Sequence, residues 1–506
     1  MLSGVGERSR ATEDTTGLPR LAFRPLLVVA AAFVALELAV AARYGIHRDE
    51  LYFLACARHL AWGYVDQPPF VPAVAWAAGH LFGPSAVSLR VLPALAGGAS
   101  AFITAGMARE LGGERRAQVL AALAAATSPQ VLGATHLLST AAFDIFFWAC
   151  ITWLVLRLLR TNDQRLWLAL GAVSGVALLN KHNVLFLLGA LGVALLFSRR
   201  DVLRGPWPWV GAVVALVIWS PNVIWNAQHD WAAVEMTRSL HKENGGLGAS
   251  IGFIPSQLIV VGPVLAPFWI AGLRRLLKDG FAKPLGVAYV VLLVVYAISG
   301  AKPYYAAGVY FVLFASGGLW VERRIEEGHV RSFRRWAIAM VVGVVIAVPL
   351  TLPVLPVTDL AKGSWQGDIN KDLSATVGWK RVVRQLGDIA ATLSPAERPR
   401  VVVYTGDYGA AGAVDLYGHD FGLSRAVSGH NNYWWWGPPR GADGATVIAV
   451  SLPASYLRTV FDQVLPAGKV DTGFGVWSEE RGAPIFICRG QRSTWAAAWP
   501  AAKHYG

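Results

Sequence analysis

Three carboxylates lie in the segment that follows the first long apolar run of the chain. This segment, Tyr44–Phe70, holds Asp49, Glu50 and Asp66 among interleaved aromatic residues. A carboxylate near the positive end of a helix is kept ionised and can act as a general base. Adjacent residues point about 100° apart on a helix, so Asp49 and Glu50 cannot both face one site. We predict Asp49 as the general base and Glu50 in a supporting role; the alternative is an acidic pair that caps a solvated helix.

A fourth carboxylate, Asp144, lies inside an apolar run that reads STAAFDIFFWACITWLVLRLL. A carboxylate within a membrane span costs about 3 kcal/mol and marks either a functional group or an internal partner. We therefore predict a catalytic role for Asp144. The alternative is a structural salt bridge, for which Lys181 is the expected partner.

Basic and aromatic residues stand at the ends of later apolar runs. Lys181 and His182 lie in LLNKHNVLF, and Lys302 and Tyr304 lie in SGAKPYYAAGVY. Cations at the edge of a bilayer suit a phosphate whose lipid tail lies in the membrane. We predict that these four residues bind a donor phosphate; the alternative is that the lysines are anchors whose charged ends reach the membrane surface.

Two further features concern ligands. Trp434 and Trp435, in GHNNYWWWGPP, are predicted to bind an acceptor by stacking on a sugar ring. The alternative is an apolar contact that holds an outer domain against the membrane surface. The histidines and the 3 cysteines follow no metal-ligand spacing, so no metal site is assigned. A divalent metal ion is left open as a cofactor.

Composition places the chain in the membrane. Of its 506 residues, 55% are hydrophobic and only 15% are charged, against about 25% charged in soluble proteins. The net charge of +13 comes with arginines that lie in short clusters between apolar runs. That arrangement is typical of cytoplasmic loops and argues against a nucleic-acid partner.

About eleven apolar runs are long enough to span a bilayer, for which ~20 residues are needed. The predicted spans are 25–43, 85–107, 117–136, 140–158, 166–181, 182–198, 207–225, 253–273, 285–301, 303–321 and 334–354. A shorter apolar segment, 68–82, is predicted to be a surface or re-entrant helix. Arginine clusters occur in every second loop, which predicts a cytoplasmic N-terminus and, with an odd number of spans, an extracytoplasmic C-terminus.

Three regions follow from this topology. Residues 1–24 form a cytoplasmic tail, and 25–356 form a transmembrane domain whose first outer loop is 44–84. Residues 357–506 form a small soluble extracytoplasmic α/β domain, in which RVVVY (400–404) and ATVIAV (445–450) are predicted buried strands and 378–392 a predicted helix. The fold class is therefore mainly α, a polytopic membrane bundle with a C-terminal α/β domain.

The motifs resemble those of the family-39, PMT-type glycosyltransferases of the GT-C superfamily, which include protein O-mannosyltransferases, lipid A aminoarabinose transferases and Rgt-type galacturonosyltransferases. The resemblance covers roughly residues 20–330 and is strongest in HRDELYFLACARHLAWGYVDQPPFVP, where an acidic pair precedes D-x-P-P. FGPSAVSLRVLPALAGG, STAAFD, GVALLNKHN and KPYYAAGVYF are similar to later family blocks in the same order.

This resemblance implies a GT-C-like bundle and an enzyme of the bacterial inner membrane. Such an enzyme moves a sugar from a polyprenyl-phosphate donor to a cell-envelope glycan, lipid or protein acceptor. Asp49 matches the family's base, Asp66 and Asp144 match acids near the site, and Lys181 matches a basic position. His182 stands where tyrosine is common, and Tyr304 stands where histidine is often found. The alternative function is a lipid or small-molecule transporter, which would predict polar residues near the midplane and an inverted repeat.

Overall fold

The protein is mostly helical. The computed structural model describes residues 17–244, 247–361, 363–365, 370–476 and 478–505, with the backbone only at 240–244 and 247–249. Most of the predicted cytoplasmic tail, residues 1–16, lies outside this range. The helices of the first part are α1 (Phe23–Val40), α2 (Arg48–Arg58), α3 (Phe70–Phe82), α4 (Ala86–Glu110), α5 (Arg115–Thr127), α6 (Pro129–His136), α7 (Thr140–Thr161), α8 (Leu166–Leu178), α9 (Val184–Ser198), α10 (Trp207–Gln228), α11 (Ala232–Asn244), α12 (Leu247–Val261), α13 (Ala266–Lys278), α14 (Lys283–Ser299), α15 (Tyr310–Glu326) and α16 (Ser332–Thr351).

Six helical segments in the described part of the chain are long and apolar enough to cross a membrane, or up to eight if each of two bent pairs is one span. The bends are 56° between α5 and α6 and 92° between α12 and the segment Pro263–Lys278. Each break lies at a proline, which cannot continue the hydrogen-bonding of the preceding helix. The two bent pairs and α7 fall where the sequence predicted spans.

Three predicted spans, 166–181, 182–198 and 285–301, coincide with helices too short to count as membrane-crossing by length. Helices α8, α9 and α14 have 13, 15 and 17 residues, so each is about 20–26 Å long, short of a ~30 Å hydrocarbon core. The count of about eleven spans therefore stays a prediction. A multi-pass arrangement accounts for the apolar outer faces of the long helices. Exposed residues of α16 are large and apolar: Ile338, Val341, Val342, Val345 and Ile346.

The C-terminal part carries a five-stranded mixed sheet in the order β2-β1-β3-β5-β4. Its strands are β1 (Val402–Thr405), β2 (Val427–Ser428), β3 (Val447–Val450), β4 (Phe461–Lys469) and β5 (Pro484–Gln491). Its helices are α17 (Lys371–Ser374), α18 (Trp379–Ala391), α19 (Tyr408–Tyr417), α20 (Asn432–Trp435), α21 (Ala454–Val460) and α22 (Trp495–Ala498). The strands β1 and β3 are fully buried and pair in parallel, which confirms the two predicted strands. Helix α18 confirms the helix predicted at 378–392.

The chain divides into two compact units. Unit 1 takes in the described residues up to Ala39 together with Val91–Val223 and Asn244–Val348. Unit 2 takes in Val40–Arg90, Ile224–Glu243 and the residues from Pro349 onward. The loop that carries Asp49 and Asp66 thus groups with the C-terminal α/β part. The domain boundaries 24/25 and 356/357 remain predictions from the sequence.

Candidate active site

Within unit 2, α2 begins at a capping box that fixes where its acids point. Nδ1 of His47 accepts a hydrogen bond from the backbone N–H of Asp49 (3.1 Å), and the backbone N–H of His47 donates to Oε2 of Glu50 (2.8 Å). Such reciprocal bonds satisfy backbone donors that a helix start otherwise leaves unpaired. Glu50 is fully buried and receives two bonds from Arg90, Nε to Oε1 at 3.0 Å and Nη2 to Oε2 at 2.8 Å. Glu50 therefore caps α2 from within a buried ion pair, whereas the alternative drawn from the sequence was an acidic pair on a solvated helix.

Helix α2 packs closely on α19, a helix from the C-terminal part of the same unit. The contact uses glycines: a Cβ added at Gly412 would lie 2.8 Å from the backbone of Leu51, and one at Gly409 would lie 3.1 Å from Cβ of Arg48. Only residues without a side chain permit so close an approach. The contact sets the register in which the first residue of α19 meets the first acid of α2.

Asp49 stands at that contact. The hydroxyl of Tyr408 donates a 2.9 Å hydrogen bond to Oδ1 of Asp49, and Nε of Arg48 lies 3.7 Å from the same oxygen. The side chain of Asp49 is 39% exposed, so an acceptor in water can reach it. Burial and the charge of Asp49 raise the pKa of Tyr408 well above its usual value, so the phenol stays protonated and remains a donor.

Asp66 lies beside Asp49 and is held in a similar way. The hydroxyl of Tyr52 donates to Oδ1 of Asp66 at 3.0 Å, and the ring of Tyr52 packs on that of Tyr408 with centroids 4.8 Å apart. Asp66 as a residue is exposed at the surface, and its Oδ1 is in contact with the hydroxyl of Tyr52. Desolvation raises its pKa to about 7, and the nearby charge of Asp49 adds to the rise. Two sequence-predicted acids thus form one cluster, which we call the carboxylate cluster (Asp49, Tyr52, Asp66 and Tyr408).

Arg48 connects this cluster to acids that the sequence interpretation missed. It forms ion pairs with Glu479 and, at 3.7 Å, with Glu480, and its guanidinium lies 5.6 Å from the ring centroid of Tyr408. Desolvation raises the pKa of Glu480 to about 7, with a further rise from Asp407. Glu479 and Glu480 thus compete with Asp49 for the electrostatic interaction with the guanidinium of Arg48.

Unit 1 contains a second cluster, built around Asp144 in the first turns of α7. Asn183 donates from Nδ2 to Oδ2 of Asp144 at 2.8 Å and to the carbonyl of Tyr305 at 3.1 Å. The hydroxyl of Tyr296 donates to Oδ1 of Asn183 at 2.7 Å. Asp144 is buried and attracts Lys181 electrostatically. The predicted partner of Asp144 is therefore near it, which keeps both the functional and the ion-pair alternatives open.

The predicted cations converge in this same unit. The ammonium of Lys181 lies 4.7 Å from the ring centroid of Tyr305 and 5.3 Å from that of Tyr304, and it is close enough to Lys302 for the two charges to repel. Cation–π contacts of this kind hold a lysine without neutralising it. Lys302 is exposed. We call Asp144, Lys181, Asn183, Lys302 and Tyr305 the lysine cluster.

His182 is directed elsewhere. Its Nε2 lies 3.0 Å from Oδ1 of Asn222, and the indole of Trp219 donates to the same oxygen at 3.3 Å. This contact positions the turn between α8 and α9. The donor-phosphate role assigned to His182 and Tyr304 from the sequence stays a prediction.

The tryptophans of the C-terminal part have distinct surroundings. The indole of Trp434 donates to the carbonyl of Trp499 at 3.0 Å, and that of Trp435 donates to the hydroxyl of Tyr505 at 2.9 Å. Trp436 instead stacks on His59 with centroids 4.4 Å apart and lies 6.5 Å from the ring of Tyr52. Trp436 is therefore the tryptophan that adjoins the carboxylate cluster, and the predicted acceptor contacts of Trp434 and Trp435 stay predictions.

The described residues contain no group of three or more histidine, cysteine, aspartate or glutamate side chains arranged to hold a metal ion. Asp49 and Asp66 supply two carboxylates, fewer than the three protein ligands typical of a catalytic zinc site. A divalent metal ion stays open as a cofactor, as the sequence left it.

Comparisons with known proteins match different parts of the chain. Residues 66–225 match the sequence model of the dolichyl-phosphate-mannose-protein mannosyltransferase family. The lipid A galacturonosyltransferase RgtD of Rhizobium johnstonii is 29% identical over 223 residues, which are 43% of this chain and 46% of RgtD. The matched segment thus spans less than half of that relative.

Two solved structures of ArnT from Cupriavidus metallidurans are similar in fold. The apo form has a TM-score of 0.60 at 16% identity, and the form bound to undecaprenyl phosphate has 0.57 at 17% identity; each match covers 91% of this chain and 97% of ArnT. The chain therefore has the GT-C fold. These matches confirm the resemblance to PMT-type members found in the sequence. The chain is a multi-pass membrane protein. The matches do not favour the transporter alternative.

Proposed function

We propose that the protein is a glycosyltransferase that moves a sugar from a polyprenyl-phosphate donor to a hydroxyl of a cell-envelope acceptor. The observation that carries the proposal is the carboxylate cluster, in which Asp49 and Asp66 are each held by a tyrosine, in a chain with the GT-C fold. RgtD is named for transfer to lipid A, and ArnT binds undecaprenyl phosphate. These relatives support a lipid-linked donor and an envelope acceptor for this chain.

The reaction needs one base and a way to stabilise the leaving group. Asp49 takes the proton of the acceptor hydroxyl as that oxygen attacks the anomeric carbon of the sugar. The bond between this carbon and the phosphate oxygen breaks, and polyprenyl phosphate leaves with the electron pair. A phosphate leaving group is a weak base, so it needs cations rather than an acid. Lys181 and Lys302 of the lysine cluster stay the predicted donor-phosphate ligands, on the evidence of the sequence alone.

Asp66, Asp144 and Glu50 have supporting roles in this proposal. Asp66 adds a second carboxylate beside Asp49 and orients the acceptor. Asp144, through Asn183, fixes the turn that carries Lys181. Glu50 anchors α2 through its buried pair with Arg90 and so fixes the helix on which Asp49 stands. A divalent metal ion stays open as a cofactor.

The proposed location is the bacterial inner membrane, with the N-terminus in the cytoplasm and the C-terminal part outside. The support is the alternation of arginine clusters along the sequence. A reporter enzyme fused after residue 356 should be active only outside the cytoplasm, and one fused near Arg204 only inside. A cytoplasmic signal from the first fusion would reverse the topology.

Transfer of a radiolabelled sugar tests the function itself. The purified full chain in lipid vesicles is given a panel of polyprenyl-phosphate sugars together with glycolipid, polysaccharide or protein acceptors. We expect label in one acceptor class and release of polyprenyl phosphate in equal amount. A folded protein that transfers no sugar but moves labelled lipid between leaflets would support the transporter alternative.

A further inference from the structure

The two carboxylate oxygens of Asp49 have different surroundings within unit 2. Oδ1 accepts the 2.9 Å hydrogen bond from Tyr408 and lies 3.7 Å from Nε of Arg48. Oδ2 has Nδ1 of His47 at 3.9 Å, beyond hydrogen-bond distance. One oxygen is thus held by the protein, and the other is the one that can take a proton from a substrate.

The position of Tyr408 is fixed from several sides. It is the first residue of α19, whose start is capped by Asp407 through a 2.7 Å bond from the backbone N–H of Ala410. Its own backbone N–H donates to Nδ1 of His430 at 3.3 Å, and its ring packs on Tyr52. A hydroxyl held this firmly can select one orientation of the carboxylate that it contacts.

We propose that Tyr408 is a positioning residue for Asp49: its hydroxyl holds Oδ1 so that Oδ2 is presented to the acceptor hydroxyl. The inference rests on the glycosyltransferase function proposed above and deepens it, because it makes the C-terminal part a contributor to the catalytic geometry. Tyr408 keeps its proton throughout. Asp49 alone gains the proton of the acceptor.

A double-mutant cycle separates positioning from a merely structural role. Tyr408→Phe, Asp49→Asn and the double variant are compared in the full chain, with kcat and the donor KM measured by radiolabel transfer. Tyr408→Phe should lower kcat about tenfold, the order expected for a hydrogen bond to a charged group, while the donor KM changes less than twofold. In the Asp49→Asn background, Tyr408→Phe should cause no further loss.

The matched control is Tyr456→Phe. It removes a hydroxyl of the same kind, which lies 3.0 Å from that of Tyr404 in the same unit, and it should leave kcat unchanged. A second variant places 3-fluorotyrosine at position 408, which keeps the ring and the hydroxyl. It should change kcat at least twofold when Asp49 is present and leave kcat unchanged in the Asp49→Asn background.

Two results overturn the inference alone: a wild-type kcat for Tyr408→Phe, or losses that multiply in the double variant as if the two residues acted independently. A wild-type protein that transfers no sugar from any donor would instead overturn the proposed function, and the inference with it. The two failures are therefore distinguishable, because the first requires an active wild type.

Discussion

Tyr408 donates a 2.9 Å hydrogen bond to Asp49, although 359 positions separate the two residues in the sequence. The bond joins the first loop to the C-terminal α/β part within unit 2. It follows from the close packing of α2 on α19 at Gly409 and Gly412. The predicted general base and the tyrosine that holds it both lie outside residues 66–225, which the family model matches.

The buried pair of Glu50 and Arg90 should matter for stability. Glu50→Gln leaves the guanidinium of Arg90 buried with a neutral partner, and breaking a buried pair from one side costs about 3–5 kcal/mol. We expect a lower Tm and a lower yield of folded protein. Asp462→Asn is the control, since its pair with Arg492 is exposed and such pairs contribute about 0–1 kcal/mol. Equal Tm values for the two variants would contradict the structural role of Glu50.

Lys181 and Lys302 should bind the donor phosphate. Changing either to alanine removes a charge-assisted interaction worth about 1.5–3 kcal/mol, so donor affinity should fall ~10-fold to ~150-fold. Acceptor KM should change less. Equilibrium binding of labelled polyprenyl phosphate to the purified variants measures the effect, and Lys283→Ala, at an exposed position on α14, is the control. Unchanged affinity in both variants would leave the lysines as membrane anchors.

The stability of the folded chain should depend on pH through the carboxyl of Asp66, and the direction of its pKa shift fixes the direction of that dependence. Its pKa of about 7 in the folded chain exceeds the ordinary value of 3.8. Its contribution to stability is therefore fully present below 3.8 and lost as the pH rises through about 7. Asparagine cannot ionise, so the Tm of Asp66→Asn minus that of wild type should increase slightly from pH 5 to about 7 and then level off, the change being small because solvent screens an exposed carboxyl.

Thermal unfolding at several pH values measures this difference. Asp388→Asn, at an exposed position on α18, is the control and should show no such trend. A Tm difference for Asp66→Asn that does not vary with pH would show that the carboxyl of Asp66 is not desolvated in the folded chain.

Trp436 should contribute to acceptor binding more than its neighbours do. It stacks on His59 beside Tyr52, whereas the indoles of Trp434 and Trp435 are bonded to other parts of unit 2. Loss of one aromatic contact of about 1 kcal/mol should raise the acceptor KM about fivefold in Trp436→Ala. Trp434→Phe and Trp435→Phe should mainly lower Tm. An acceptor KM raised only in the latter two would contradict this expectation and support the assignment of Trp434 and Trp435 made from the sequence.

Much of the fold was predictable because its signals are local. Long apolar runs gave the membrane helices, and short buried runs of β-branched residues gave β1 and β3. The bends after α5 and α12 also have a local signal, because Pro129 and Pro263 each lie two residues after the end of the preceding helix. The shortness of α8 and α9 also has a local signal, because polar residues bound their apolar runs: Arg165 and Asn180 for α8, and Asn183 and Arg199 for α9.

The candidate site was predictable only in part, because its partners are distant in sequence. Asp49 and Asp66 could be singled out as acids beside a membrane span. The tyrosines that hold them could not be assigned, since Tyr408 reaches Asp49 only through tertiary packing. The same holds for Arg90, which lies 40 positions from Glu50. Asn183 could have been singled out from the sequence, because it directly follows Lys181 and His182 in the LLNKHN motif.

Turnover of Asp49→Asn tests the central claim most directly. The asparagine keeps the shape of the side chain and can still accept the hydrogen bond from Tyr408, but it cannot take a proton. General-base catalysis contributes about 10²–10⁴-fold. At matched amounts of folded protein, kcat for sugar transfer should fall by at least the lower figure while donor binding is retained. A variant that binds donor and transfers sugar at the wild-type rate would contradict Asp49 as the base.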